Sequence, residues 1–132
     1  MCKADKIKNK FPLMWEYAYP SVGGGWLPLL YQLSSYLQHN TDKNNYPQVV
    51  VVLCKEKYGG LRFHYYIESH EEDLAPKELL RYDINCSKIE GVISFAESLS
   101  YSVCEDCGTF DNVKTEGRWI RSLCSDCRNK TI

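Results

Sequence analysis

The sequence lacks the motifs that identify the common enzyme classes. It contains no Walker loop, no His-Glu-x-x-His pair, no Gly-x-Ser-x-Gly elbow and no dinucleotide-binding glycine fingerprint. Only three histidines are present. His39 ends a predicted helix and His70 lies in a predicted loop, so neither is placed as a base. His64 could pair only with Cys54, and the predicted strand register puts these two on opposite faces. We therefore expect a non-enzymatic protein with no catalytic residues.

The chain also lacks a strong charge and a long apolar run. Its net charge is −1 over 132 residues, which does not favour a strongly basic domain. Its longest apolar run, 49–54, is far shorter than the ~20 residues of a membrane span. The charged first eight residues are not followed by the apolar segment of a secretory signal. We expect a soluble, cytoplasmic protein without a membrane partner.

Cysteine, in contrast, is abundant and regularly spaced. Four of the seven cysteines form two Cys-x-x-Cys pairs, Cys104 with Cys107 and Cys124 with Cys127. Two residues between ligands let both sulfurs reach one ion from a tight turn, and the segment between the pairs suits a short hairpin. Thiolates suit Zn²⁺, and four of them close the shell as in structural sites. The pattern predicts a structural Zn²⁺ site. A dithiol redox role and a rubredoxin-like iron site are the alternatives.

The residues beside the two pairs indicate the kind of finger. Gly108 follows the first pair, as expected where the chain leaves a knuckle at positive φ. No glycine follows the second pair, and Arg128 to Lys130 continues as a helical turn. A knuckle, a hairpin and a stunted helix predict a treble-clef-like finger over 104–132 better than a symmetric two-knuckle zinc ribbon.

Periodicity predicts an α+β body over 1–103. Residues 3–10 form a short amphipathic helix that Pro12 stops, and the glycine-rich stretch 20–25 is a loop. Apolar residues at helical spacing predict amphipathic helices over about 26–39 and about 87–102. Ser87 is the expected N-cap of the second helix, and Glu90 completes a capping box. The whole chain is then a small antiparallel sheet with two amphipathic helices and a C-terminal finger packed on the body.

A β-hairpin is predicted over about 48–68. The β-branched run 49–53 is followed by a Tyr58-Gly59-Gly60 turn and then by strict alternation of apolar and polar residues. A two-residue loop places Cys54 with Phe63 or Tyr65 on the apolar side. It places Lys55 with Arg62 and His64 on the polar side. A bulged three-residue loop would exchange these faces.

The charge of the predicted finger argues against phosphate binding. Its five cations are balanced by five acids, and four thiolates with one Zn²⁺ add a further net −2. The cations are Lys114, Arg118, Arg121, Arg128 and Lys130, and the acids are Glu105, Asp106, Asp111, Glu116 and Asp126. A smaller basic and aromatic patch lies on the hairpin, where Lys55, Lys57, Arg62, His64 and Tyr66 are grouped. Single-stranded nucleic-acid binding at this patch is therefore the alternative function.

Aromatic richness and balanced charge favour a protein-binding module. Its expected contact surface is either the hairpin tip and polar strand face, with Tyr58, Arg62, His64 and Tyr66, or the region of Trp119. A second interpretation of Trp119 is that it covers the metal and docks the finger to the core, and its position on the finger hairpin favours this interpretation.

Several ordered segments of the chain resemble those of a known family. These segments are Gly25-Trp26-Leu27-Pro28-Leu29-Leu30, Lys55-Glu56-Lys57-Tyr58-Gly59-Gly60-Leu61-Arg62-Phe63, Ala96-Glu97, Cys104-x-x-Cys107-Gly108 and Trp119-Ile120-Arg121-Ser122-Leu123-Cys124. Together they resemble a family of small uncharacterised proteins of bacteriophages, prophages and bacteria, from about Gly25 to Cys127. Many relatives have a histidine where this chain has Cys127, and both residues bind metals. The resemblance implies no established reaction. By analogy with small phage accessory proteins, it implies an inhibitor that binds a host protein in host takeover or anti-defence.

Overall fold

Five α-helices, one short 3₁₀ helix and two small sheets make up the residues that the computed structural model describes, 3–69 and 74–130. The helices are α1 (Ala4–Lys10), α2 (Pro12–Trp15), α3 (Leu27–Lys43), α4 (Pro76–Ser100) and α5 (Ser125–Lys130), with the 3₁₀ turn at Gly24–Trp26. The strands are β1 (Pro20–Ser21), β2 (Val49–Lys57), β3 (Gly60–Ile67), β4 (Val113–Glu116) and β5 (Arg121–Cys124). The predicted α+β class is confirmed.

The hairpin β2–β3 has the predicted register. Lys57 pairs with Gly60, so the loop has two residues, and Tyr58 and Gly59 occupy it at φ of 54° and 82°. Cys54 pairs with Phe63 and Lys55 pairs with Arg62, as the two-residue loop predicts. A bulge between Val51 and Leu53 then shifts the register, and Val52 and Leu53 lie on the exposed side.

The sheet differs from the prediction in having a parallel strand. The order is β1-β2-β3, and β1 runs parallel to β2 with Pro20 opposite Cys54. The sheet is therefore mixed, and the stretch 20–25, predicted as a loop, contains β1 and the start of the 3₁₀ turn. A two-residue strand carries no periodic signal, so only its tertiary partner defines it.

The main core lies between the sheet and the helices. It is formed by residues from α1 to α4 and from both hairpin strands, and Trp15, Trp26, Leu30 and Ile89 are among its fully buried members. The Trp15 indole donates a buried hydrogen bond to Ser34 Oγ at 3.0 Å, so its one polar group is satisfied. The apolar faces of the two predicted amphipathic helices therefore pack into one common core.

The predicted bounds of the long helices are wrong at one end each. The first runs to Lys43 rather than to about 39, and the second begins at Pro76 rather than at about 87. Ser87 is not an N-cap, since it lies exposed in the middle of α4. Residues 76–86 were missed because Leu79, Leu80 and Ile84 are exposed in the structure and give no single apolar stripe.

No helix among the described residues is long and apolar enough to cross a bilayer. The predicted loop at 68–77 cannot be compared in full, since His70 and the acidic residues 71–73 lie outside the described residues.

Candidate metal centre

The four cysteines of the two pairs converge on one point near the carboxyl end. The sulfurs of Cys104, Cys107, Cys124 and Cys127 all lie within 4.8 Å of one another. Cys104, Cys124 and Cys127 are buried, whereas Cys107 is exposed. Four sulfurs at this spacing form a group that could hold one metal ion.

Local hydrogen bonds shape both halves of the cluster. In the first half, the Gly108 N–H donates to Cys104 O at 2.9 Å, and Gly108 has a φ of 83° that favours glycine. In the second half, Cys124 ends β5 and Cys127 lies in the first turn of α5. The Cys127 N–H donates to Cys124 Sγ at 3.4 Å. The order of knuckle, hairpin and short helix is the one predicted for a treble-clef-like finger.

The spacing of the sulfurs fits a tetrahedral thiolate site. A tetrahedron with Zn–S bonds of about 2.3 Å separates its sulfurs by about 3.8 Å. The Sγ atoms of Cys107 and Cys124 are 3.7 Å apart, whereas a disulfide would need about 2.05 Å. All described cysteines are free thiols. The donor set and its spacing therefore match a metal better than a disulfide.

The surroundings of the cluster lower the pKa of one of its thiols and raise the pKa of another. Burial raises the pKa of Cys104, but hydrogen bonds from the backbone of Cys107, Cys124 and Asp106 outweigh it and lower that pKa to about 6. The hydrogen bond between the Cys127 and Cys124 side chains, together with burial, raises the pKa of Cys127 to about 12. The backbone donors around Cys104 therefore favour its thiolate form, which is the form that binds metals.

The knuckle packs directly on the glycine-rich segment of the body. The Gly25 N–H donates to Glu105 O at 2.8 Å. A Cβ atom on Gly25 would collide with Cys104 O and would lie 2.6 Å from Gly108 N, and one on Gly23 would collide with Glu105 O. Backbone meets backbone here, so side chains are excluded. The sequence signal was the run of three glycines, but it did not reveal the partner.

A tryptophan of the body and a serine of the finger add two buried hydrogen bonds. The Trp26 indole donates to Val103 O at 2.9 Å, immediately before the first cysteine. From the finger, Ser122 Oγ donates to Gly59 O at 2.6 Å, at the tip of the hairpin. Both bonds are buried. The first bond fixes the body residue that precedes the knuckle, and the second attaches the finger hairpin to the body.

A buried carboxylate connects the knuckle to β5. Glu105 is only 2% exposed, and its Oε2 accepts the Ser122 N–H at 2.6 Å. Its N–H in turn donates to Ser122 O at 2.9 Å. Arg121 Nε lies 3.6 Å from Glu105 Oε1, and Arg121 also donates to Asp106 at 2.7 Å. These contacts fix the position of the first cysteine pair relative to the strand that carries the second. The sequence analysis considered Glu105 only as one of the ten charged residues of the finger.

The predicted partner residues fall into two groups. Tyr58 and Trp119 line one groove between the hairpin tip and the turn at 117–120. The other group lies along β3. His64 and Tyr66 are exposed there, and Arg62 is half-buried. The structure therefore brings together the two aromatic residues that the sequence had placed on separate surfaces.

The favoured interpretation of Trp119 as a docking residue is wrong. Its side chain is 81% exposed, at the turn of the finger hairpin. The finger is docked instead by close backbone contact of Gly23 and Gly25 with its knuckle and by the hydrogen bond from Ser122 to Gly59 O.

Cys54 and His64, which both lie among the described residues, do not form a reactive pair. Cys54 is buried, and burial, together with Glu97, raises its pKa to about 12. His64 is the cross-strand partner of Leu53 and is exposed. Cys54 and His64 therefore lie on opposite faces, as the register predicted. Cys2 lies outside the described residues.

Comparisons with protein-family models, with curated proteins and with solved structures gave no match to this chain. A function for this chain is therefore inferred from the geometry of the cluster and of the surface beside it.

Proposed function

We propose that the protein is a small, non-enzymatic zinc protein that acts in the cytoplasm as a protein-binding module. Cys104, Cys107, Cys124 and Cys127 hold one structural Zn²⁺, which cross-links the two ends of the finger. The observation that carries this proposal is the convergence of four sulfurs within 4.8 Å, with no other ligand type from the described residues in the group. Four thiolates leave no open position for substrate, so the ion stabilises and does not catalyse.

The size of the finger's own core indicates why a metal is needed. Its buried apolar cluster consists of Leu123 and three of the cysteines, with Val113 packed at its side. So few side chains bury too little apolar area to stabilise a fold of this length. Metal binding supplies that free energy directly, as in other small zinc modules.

The bound metal would also fix the surface that the finger presents. The turn that carries Trp119 joins β4 to β5, and β5 ends at the ligand Cys124. The same strand is tied to the hairpin tip by Ser122. Zinc thereby holds exposed aromatic residues of two hairpins in one arrangement, which favours a binding role.

The biological role that we propose is that of a phage- or prophage-type inhibitor of a host protein, in host takeover or anti-defence. Its support is the sequence resemblance described above, together with exposed aromatic residues of the kind that dominate protein interfaces. The alternative is binding of single-stranded nucleic acid, which the cations beside the same aromatic residues favour.

Affinity purification from nuclease-treated bacterial host lysate tests the binding role. The tagged, zinc-loaded protein should recover one host protein in stoichiometric amount, and the Cys124→Ser variant should recover much less of it. A lysate without nuclease provides the matched control. Repeated recovery of no stoichiometric protein, or recovery that disappears with nuclease, would refute the protein-binding role; the second result would favour the alternative.

A further inference from the structure

We propose that the groove between the β2–β3 tip and the finger turn binds an acidic peptide segment of the partner, with one apolar side chain as its anchor. This hairpin–finger groove is lined by residues 55–58 of the hairpin and 118–120 of the finger. Its volume is about 420 Å³, within the usual range of sites that enclose a small ligand. The inference rests on the proposed protein-binding role and names the partner's chemistry.

The two walls of the groove are joined beneath it by a hydrogen-bond chain. Ser122 Oγ lies 2.6 Å from both Thr115 Oγ1 and Gly59 O. Gly59 has a φ of 82°, and a Cβ there would lie 2.6 Å from Thr115 Cγ2. The hairpin tip therefore packs on the finger without a gap. A groove between joined walls is formed before the ligand arrives, and this lowers the entropic cost of binding.

The groove carries large aromatic side chains that remain mostly exposed to solvent. Trp119 is 81% exposed and Tyr58 is 63% exposed, with Ile120 beside them at 40%. The other two tryptophans, Trp15 and Trp26, are fully buried. Tryptophan and tyrosine are the residues most enriched at the energetic centres of protein interfaces. One apolar side chain of a partner placed between them would remove this surface from water.

The charge of the groove determines the chemistry of its ligand. Lys55, Lys57 and Arg118 line it, and none of them forms an ion pair with any described residue. Lys55 also lies directly opposite Arg62 in the hairpin, an arrangement of like charges that destabilises a strand pair. Glu56 is the one acid among the described residues that line the groove, and it accepts the Gly59 N–H at 3.1 Å within the turn. Carboxylates of a ligand would complement this excess of positive charge.

Two features favour a peptide over single-stranded nucleic acid. The Lys57 ammonium lies 5.6 Å from the centroid of the Tyr58 ring and covers one face on which a base would stack. The cations also form a single group rather than a track that could follow several phosphates. A short peptide with a few carboxylates can pair with one group of cations, whereas phosphates at every nucleotide need a longer basic track.

Selection from a displayed library of random 12-residue peptides tests the proposal with the zinc-loaded protein. The selected peptides should be enriched in Asp and Glu around one aromatic or aliphatic residue. A fluorescein-labelled copy of the strongest peptide should bind the Lys55→Glu/Arg118→Glu variant at least about 10-fold more weakly than the wild type. Lys88→Glu, an exposed cation of α4 outside the groove, is the matched control and should bind as the wild type does.

Tryptophan fluorescence gives a second, local measurement. Because Trp15 and Trp26 are fully buried, iodide should quench mainly Trp119, and the bound peptide should protect it. Selection of no peptide above background, selection without acidic enrichment, equal binding by the double variant, or displacement by an equimolar 12-mer of oligo(dT) would each overturn the proposal. If the double variant still captures the same host protein as the wild type, the groove is not the binding site, while the proposed protein-binding function stands. If the wild type captures none, the proposed function itself fails.

Discussion

Replacement of Gly25 by alanine tests whether the knuckle is an integral part of the body. The new Cβ would lie 2.6 Å from Gly108 N and 2.8 Å from the carbonyl carbon of Glu105, and it would collide with Cys104 O. All three are backbone atoms and cannot rotate away. The knuckle must therefore move as a unit from the segment on which it packs.

The cost of Gly25→Ala follows from these contacts. Overpacking against rigid neighbours destabilises by about 1–3 kcal/mol. Displacement of the knuckle also lengthens the 2.8 Å bond from Gly25 N–H to Glu105 O, and loss of one hydrogen bond costs about 1 kcal/mol. We expect the free energy of unfolding to fall by about 2–4 kcal/mol in total.

Gly91→Ala is the matched control, because it makes the same chemical change elsewhere. Gly91 lies inside α4, and a Cβ there would meet nothing within 4 Å. Alanine should stabilise the helix by about 0.5–1 kcal/mol. Urea unfolding at fixed excess zinc, followed by far-UV circular dichroism, measures both variants. Free energies of unfolding that differ by less than about 1 kcal/mol between the two variants would refute the packing argument.

Three further predictions concern the metal, a buried thiol and a sheet edge. A zinc chelator should remove amide protection from 104–130 while the body keeps its own, because the finger has only a small core; equal protection before and after chelation would contradict this. Cys54 should react with iodoacetamide at pH 8 about 10³-fold more slowly than in urea, since its pKa is raised to about 12; mass spectrometry of the modified peptide measures this, and comparable rates would show that the thiol is accessible. Glu97→Ala should lower the free energy of unfolding by about 1–3 kcal/mol, because Glu97 Oε2 accepts the Phe63 N–H at 3.0 Å on the edge of β3. The exposed Glu90→Ala on the same helix should change it by less than about 0.5 kcal/mol in urea unfolding, and equal effects of the two would refute the role of Glu97.

Sequence patterns correctly predicted the two features that depend on residues close together in the chain, the cysteine cluster and the hairpin register. Each Cys-x-x-Cys pair, ending at Cys107 or Cys127, forms one tight turn, and the segment between the pairs is short enough for a hairpin. Their convergence could therefore be predicted from spacing. The hairpin register followed from the two-residue turn and from the alternation of Leu61 to Ile67. In both cases the interacting groups are close in sequence, and a short motif carries the information.

Contacts between distant segments were not predicted. The three glycines at 23–25 predicted a loop, but Gly23 and Gly25 also allow close approach of the backbone to Glu105, some 80 residues later. Trp26 was assigned to a helix stripe, yet its indole N–H binds Val103 O. Trp119 was assigned to docking and is exposed. A large aromatic residue is compatible with a core or with an open surface, and only tertiary packing decides between them.

Elemental analysis of the purified protein, combined with a thiol count, tests the central claim most directly. Inductively coupled plasma mass spectrometry should find one zinc per chain. After denaturation without reductant, all seven cysteines should titrate as free thiols, and Cys107→Ser and Cys124→Ser should each reduce the zinc content sharply, whereas Cys86→Ser should not. A protein without bound metal, or with Cys104, Cys107, Cys124 and Cys127 paired in disulfides, would contradict the account.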